Sequence, residues 1–242
     1  MTTAVILAGG LGTRLRSAVP DLPKPLAPIH GRPFLEYQMD YWIEQGVDRF
    51  VLSIGYLHEK VIEHFGGAYR GAKLEYVIED TPLGTGGGLM LALGKVSDTK
   101  SFLLLNGDTY FAVDLQMLSQ FARENTADWC FSLFKTSNTQ RYLGLALDQE
   151  QRITQLGVKA NQGTCLANGG VYWVNTAAML RNPFSIQFPV GEKASLEADI
   201  FQYELNRGAR IFGLESEGVF LDIGIPEDYE TSFSLFKQGS SR

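Results

Sequence analysis

The chain has little of what staples or metallates a fold. It carries two cysteines, Cys130 and Cys165, and three histidines, His30, His58 and His64, in 242 residues. Both cysteines stand inside apolar segments, which predicts two buried thiols rather than a disulfide. The histidines show no ligand spacing, so no zinc site is expected. Positive charge is not in excess. Lys+Arg number 21 against 27 Asp+Glu, a net charge of −6, and a nucleic-acid partner is therefore not expected. No apolar run approaches the roughly 20 residues that span a bilayer. The opening "MTTAVILAGG" has no basic region and too short an apolar run for a signal peptide. These absences predict a soluble, cytoplasmic chain with no membrane partner. No repeat, low-complexity tract or long linker divides it, so one domain over 1–242 is expected.

Apolar residues make up 45% of the chain, enough for a full core. "AVILA" (Ala4–Ala8) is a short apolar run ended by glycines and reads as a buried strand feeding a loop. "RFVLSIGY" (49–56), "KLEYVIED" (73–80) and "SFLLLNGD" (101–108) repeat that form. Helix-like segments lie between them at 33–45, 57–65 and 85–93. Pro33 suits a first helical turn and Gly46 the residue after a helix end. Strands alternating with helices predict an α/β fold, a mostly parallel sheet covered on both faces. In such sheets ligands sit beyond the carboxyl ends of the strands. The loops after Ala8, Ile78 and Leu105 thus become the candidate site. In the second half, 129–135, 143–148 and 165–174 read as strands with tighter connections. A helix is expected at 196–206, two last strands at 209–215 and 218–224, and a closing helix at 225–236. The "GSSR" tail is expected to fray.

The loop "LAGGLGTRL" (Leu7–Leu15) fails two templates. Leu15 stands where a dinucleotide fingerprint needs its last glycine, and no Gly-Lys-Ser/Thr of a Walker A loop is present. Its chemistry still suits phosphate. Gly9, Gly10 and Gly12 let backbone N–H groups approach an anion, Thr13 adds a hydroxyl, and Arg14 a forked cation. The plain alternative is a glycine-rich turn with a surface arginine. "PDLPKPLAP" (Pro20–Pro28) sets four prolines around Lys24. That stretch should be stiff and extended, holding a second cation in one place.

Together, "LAGGLGTRL" and "PKPLAPIHGRPFLEYQMD" resemble the sugar-phosphate nucleotidyltransferase family, whose signature is L-x-G-G-x-G-T-R-L followed by a Lys-Pro pair. The likeness continues through "TPLGTGGGL", "LLLNGDTYF", "LANGGVYWV", "SLEADIF" and "FLDIGIPEDY". Within the family the chain is most similar to the D-glycero-α-D-manno-heptose 1-phosphate guanylyltransferases, with mannose-1-phosphate guanylyltransferases next. The resemblance implies a Rossmann-like three-layer sandwich with a mostly parallel mixed sheet, the nucleotide-diphospho-sugar transferase fold. About 1–125 would bind nucleotide and 126–242 sugar phosphate. The chain lacks the C-terminal β-helix extension of longer relatives, which predicts a stand-alone catalytic domain.

The implied reaction is attack of a sugar 1-phosphate on the α-phosphate of an NTP, preferably GTP, with loss of pyrophosphate. A dianionic phosphate needs no general base, which agrees with loops free of histidine. It needs cations, because two polyanions must meet. Arg14 and Lys24 are two. The third would be Mg²⁺, held, the resemblance implies, by Asp108 of "NGD" and Asp222 of "FLDIG"; alone, either is equally a turn carboxylate. Arg14, Lys24 and Asp108 form the expected catalytic set. Leu7, Ala8, the glycines and Thr13 would hold the triphosphate. Glu79, Gly84 and Thr85 of "EDTPLGTGGG" would hold the base. Glu79 is an acceptor-only fork that matches the adjacent donors N1–H and the amine of guanine, and Asp80 could serve instead. For the sugar phosphate the expected set is Gly107, Lys159, Asn168, Gly169 and Glu197. The family's Glu-Lys pair is here Val158-Lys159, a departure that removes one sugar contact and leaves a surface Lys159 as the alternative. Glu197 after Ser195 is equally a first-turn acid. Phe131, Phe134, Tyr172 and Trp173 are expected in the core. The expected product is a GDP-heptose, a donor for capsule, S-layer or other surface glycans. Alternatives are mannose 1-phosphate with GTP, N-acetylmuramate 1-phosphate with UTP, or a non-catalytic nucleotide-sugar sensor. Homo-oligomer formation stays open.

Overall fold

A computed structural model describes residues 1–15, 18–138, 141–142, 144–158, 163–181 and 184–236. In chain order the main elements are β1 (Thr2–Ala8), α1 (Phe34–Glu44), β2 (Val47–Ile54), α2 (His58–Phe65), β3 (Ala72–Ile78) and α3 (Gly84–Val96). They continue with β4 (Ser101–Asn106), β5 (Thr109–Phe111), α4 (Leu115–Glu124), β6 (Trp129–Thr136), β7 (Gly144–Leu147), β8 (Ile153–Val158) and β9 (Cys165–Asn175). The last are α5 (Phe201–Asn206), β10 (Ile211–Glu215), β11 (Phe220–Asp222) and α6 (Pro226–Leu235).

One mixed sheet runs through both halves of the chain. β4, β1, β2 and β3 are neighbours and parallel, as the βα alternation predicts. β9 joins β4 antiparallel, and β6 pairs with β9. Alternation along β1 builds a core on each side. Ala4 and Ile6 pack with Leu35, Met39 and Trp42 of α1 and with Leu118 of α4. Val5 and Leu7 pack with Leu89, Met90 and Leu93 of α3 and with Phe201 of α5. This is the three-layer α/β sandwich expected. A third apolar cluster ties Leu15, Val19 and Ile29 to Leu221, Ile223 and Tyr229. It pins the opening loop to the C-terminal segment.

Several expectations are corrected. The Lys24 stretch is not extended throughout: Lys24–Leu26 is a 3₁₀ turn, with Leu26 N–H on Pro23 and Ala27 N–H on Lys24. Pro25 enters it easily because its fixed φ suits a first helical turn, where its missing N–H is not needed. Segment 196–206 opens with a wide π turn at Leu196–Ile200 before α5. Segment 218–224 is strand only at Phe220–Asp222, and it pairs with β5 in a separate two-stranded ribbon. Strands β5 and β8 and helix α4 were not anticipated. Cys130 is buried as expected and burial pushes its pKa up to about 12, but Cys165 is only partly buried. Both thiols are free. Phe131, Phe134 and Tyr172 are buried, while Trp173 is partly exposed. Among the described residues no helix is long and apolar enough to cross a membrane.

Candidate active site

Two adjoining cavities open at the carboxyl ends of β1, β3 and β4. The first, of about 410 Å³, is lined by the opening loop: Leu7, Ala8, Gly9, Gly10, Gly12, Thr13 and Arg14. Lys24, Glu79, Gly84, Thr85 and Asp108 complete its wall. All twelve residues expected to hold nucleotide therefore face one space. The second, of about 630 Å³, is lined among others by Asn168, Gly169, Arg141, Tyr142, Phe220 and Asp222. Arg14, Asn106, Asp108 and Glu197 line both.

The opening loop reverses at Gly12, whose φ of +59° is left-handed. The reversal lets Leu15 N–H reach Gly12 O at 3.0 Å and exposes Arg14 beside both cavities. Lys24 is nearly buried at 12% side-chain exposure, and its Nζ lies 2.6 Å from Asp108 Oδ2. Burial works against the Asp108 charge, but Lys24 outweighs it and holds the carboxyl below its ordinary pKa.

Asp222 sits next to Asp108 because the ribbon aligns Asp222 with Thr109, and Ile223 N–H bonds Asp108 O at 2.9 Å. Asp222 Oδ1 accepts from Gly224 N–H at 2.7 Å, and its Oδ2 meets Arg141 Nη2 at 2.8 Å. Arg141 also contacts Asp228. Burial opposes its charge, and the hydrogen bonds it donates to Asp222 and Asp228 overcome that and raise its pKa.

Glu79 Oε1 accepts from Ser53 Oγ at 2.9 Å and Oε2 from Leu83 N–H at 3.1 Å. Asp80 is exposed, and it is not part of the first cavity's wall. Thr85 Oγ1 accepts from Leu196 N–H at 2.9 Å and donates to Glu197 Oε2 at 3.1 Å. Ser195 Oγ donates to the same oxygen at 3.0 Å and caps the helix through Ala198 N–H. The N-terminus of α3 is occupied by protein: Gly86 and Gly87 N–H bond Ala194 O.

The sugar-side expectations are placed less uniformly. Asn168 and Gly169 line the second cavity, and Glu197 both. Asn168 is itself engaged, donating to Tyr172 OH at 2.7 Å and accepting from Gly170 N–H at 3.0 Å. Gly107 lines the first cavity instead. It packs on β1, where a Cβ would stand 2.5 Å from Leu7 O, so its lack of a side chain serves the sheet. Lys159 lies outside the described residues. Sequence reading missed Arg141, Asn106 and Lys193. Arg141 stands in a loop without a glycine or proline pattern around it. Lys193 lines the first cavity from a segment that sequence places with the other half. For Asn106, its position in "NGD" beside Asp108 was an available signal.

A glycine loop, two buried or half-buried carboxylate–cation pairs and a second polar cavity across a shared wall suit two phosphorylated substrates. The comparisons agree. A sequence profile described as nucleotidyl transferase matches residues 3–238. The chain is 39% identical to a D-glycero-alpha-D-manno-heptose 1-phosphate guanylyltransferase of Aneurinibacillus thermoaerophilus, covering 93% of this chain and 94% of that one. It is 36% identical to the enzyme of the same name from Campylobacter jejuni, covering 93% and 96%. The crystal structure of HddC from Yersinia pseudotuberculosis complexed with GMP-PN superposes with a TM-score of 0.81 at 32% identity, covering 98% and 100%. With the profile spanning nearly its whole length and the fold shared, this chain belongs to the nucleotidyl transferase family.

Proposed function

We propose that the chain transfers a guanylyl group from GTP to D-glycero-α-D-manno-heptose 1-phosphate, releasing pyrophosphate, as one catalytic unit over 1–242. The observation that carries this reading is the shared wall. Arg14, Asn106, Asp108 and Glu197 face both cavities, so a nucleotide in one and a sugar phosphate in the other meet there. A sugar-phosphate oxygen forms the new bond to the α-phosphorus, and the bond from that phosphorus to the α–β bridging oxygen of GTP breaks, that oxygen leaving with pyrophosphate. The attacking group is already an anion at neutral pH, so no proton need be removed. Two unit charges 4 Å apart repel by roughly 4 kcal/mol at an effective dielectric of 20. Arg14 would offset charge on the departing pyrophosphate, and Lys24 charge near the reacting phosphorus.

Divalent metal, Mg²⁺, belongs to the same proposal, and the residues fit it. Asp108 and Asp222 are acceptor-only groups at neighbouring strand ends, with side-chain exposures of 37% and 24% toward the cavities. A hard cation of this kind takes one or two carboxylates and completes its shell from phosphates and water. When bound, it would supply positive charge to the phosphates. Glu79 would read guanine: it lines the first cavity, and each of its oxygens keeps a second lone pair for a donor. The heptose and guanine assignments follow the names of the relatives. On this reading the reaction is cytoplasmic, and its product is a donor for capsule, S-layer or other surface glycans. The test is a matrix of GTP, UTP and ATP against heptose, mannose and N-acetylmuramate 1-phosphates with Mg²⁺, read as pyrophosphate release. Release greatest with GTP and heptose 1-phosphate is expected. Release from none of the pairs would leave the reading without a reaction.

A further inference from the structure

Behind the wall of the first cavity, a buried hydroxyl that does not face the cavity bonds Glu79, which does. Ser53, near the end of β2, is fully buried, and it is not part of the cavity wall. Its strand neighbours are Leu7 on one side and Val77 on the other. A hydroxyl in that apolar setting is costly unless it is bonded. Its single proton goes to Glu79 Oε1 at 2.9 Å.

The surroundings leave Glu79 little freedom. A Cβ on Gly9 would stand 2.0 Å from Oε1, and one on Gly88 would stand 2.9 Å from Oε1 and 3.0 Å from Ser53 Oγ. The carboxylate is thus pressed between two backbones, with its plane set by Ser53 Oγ on one oxygen and Leu83 N–H on the other. A two-point acceptor reads two adjacent donors only while that plane is fixed.

We propose that Ser53 is a positioning residue for nucleobase discrimination, fixing the Glu79 carboxylate so that both oxygens meet N1–H and the exocyclic amine of guanine. The proposal rests on the reading of Glu79 as the base reader. Ser53 acts from behind Glu79 and touches no substrate. Loss of its hydroxyl should weaken guanine recognition more than recognition of a purine lacking the amine, and should spare the chemical step.

The experiment measures equilibrium binding of GTP and ITP, with Mg²⁺ and without sugar phosphate, for the unaltered chain and for Ser53→Ala, Ser53→Cys and Glu79→Gln. ITP keeps N1–H and lacks the amine. The unaltered chain should bind GTP at least about tenfold tighter than ITP. Ser53→Ala should cut that ratio about fivefold, with kcat at saturating GTP within about twofold. Ser53→Cys keeps the volume with a weaker donor and should fall between them; it carries the test if Ser53→Ala does not fold. A ratio unchanged in the Ser53 variants but collapsed in Glu79→Gln overturns the role of Ser53 and leaves the Glu79 reading standing. A ratio unchanged in Glu79→Gln, or no preference in the unaltered chain, overturns both. Equal loss of GTP and ITP in Ser53→Ala shows a structural role only and overturns the proposal.

Discussion

The first cavity is built around the glycine-rich loop after β1, and the second around side chains of the 141–142 loop, β9 and β11. Gly9, Gly10 and Gly12 line the first. Arg141, Tyr142, Asn168 and Phe220 face the second. The polar groups of the second are already paired with each other: Arg141 with Asp222, Asn168 with Tyr172 and Gly170. A backbone wall tells phosphate from solvent but not one sugar from another. A wall of interlocked side chains can be retuned one residue at a time. On the proposed reading, substrate class would be read in the first cavity and sugar identity in the second.

The harshest way to break the comparison is at the wall the cavities share. Asp108→Asn should lower kcat by about 10²–10³, the scale for removing one preorganised charge group, with the fold retained by circular dichroism. Loss confined to one substrate's KM would mean that Asp108 serves a single cavity. The pH profile sharpens this. Lys24 holds Asp108 below its ordinary pKa of 3.8, so the ion pair's stabilising contribution is complete above about pH 4. It is lost only as pH falls through the lowered value. An acid limb of kcat/KM near pH 6 should therefore report the second ionisation of the sugar phosphate. It should stay in place when carboxylates other than Asp108 are altered.

Within the first cavity, Gly9→Ala and Gly10→Ala make a matched pair. A Cβ on Gly9 overlaps the Glu79 carboxylate, whereas one on Gly10 meets nothing within 4 Å. Gly9→Ala should destabilise by about 1–3 kcal/mol, the usual cost of overpacking, and raise the KM for GTP at least about tenfold. Gly10→Ala should leave the melting temperature nearly unchanged. Equal effects would show that the wall yields as a whole.

This asymmetry also explains what could be read in advance. Most of the first cavity's residues come from contiguous loops whose glycines and prolines are local signals, 7–15, 20–28 and 79–88. Strands β1, β2 and β4 carry apolar runs, and Val5, Val51 and Leu104 are indeed buried. The second cavity gathers Arg141, Asn168 and Asp222 across about 80 residues of chain, with no local pattern to connect them. Helix α4 was legible and overlooked. Asp114 caps it through Met117 N–H, and Leu115, Leu118 and Ala122 repeat at helical spacing on the buried face. The short ribbon β5–β11 was not legible as such, because each strand has three residues and gains its pairing only from the partner.

On the second cavity, Asn168→Ala removes one partner of Tyr172 OH and the side-chain acceptor of Gly170 N–H. An unsatisfied buried group costs about 1–3 kcal/mol. The cavity admits water, so the loss should lie at the low end, about 1 kcal/mol by thermal melt. The KM for sugar phosphate should rise severalfold while that for GTP holds. A shift in the GTP constant instead would dissolve the division between the two walls.

The smallest effect tests a side-chain bond between the base loop and the sugar-side helix. Thr85, placed with the base loop, donates to Glu197, which also lines the sugar side, and receives Leu196 N–H. If the walls were independent, Thr85→Val would alter nucleotide constants alone and Glu197→Gln sugar constants alone, and the double variant would show their sum. The shared hydrogen bond predicts otherwise. Residues in direct contact deviate from additivity by about 0.5–3 kcal/mol, and one net hydrogen bond is worth about 1 kcal/mol. The expected coupling in kcat/KM is therefore about fivefold, read as a double-mutant cycle with GTP saturating. A coupling of that size means that the base loop and the sugar-side helix move as one body, because α3 and the segment before α5 are also stitched by Gly86 and Gly87 N–H on Ala194 O. Strict additivity would mean that those backbone bonds hold the two loops together and that the side-chain bridge is incidental.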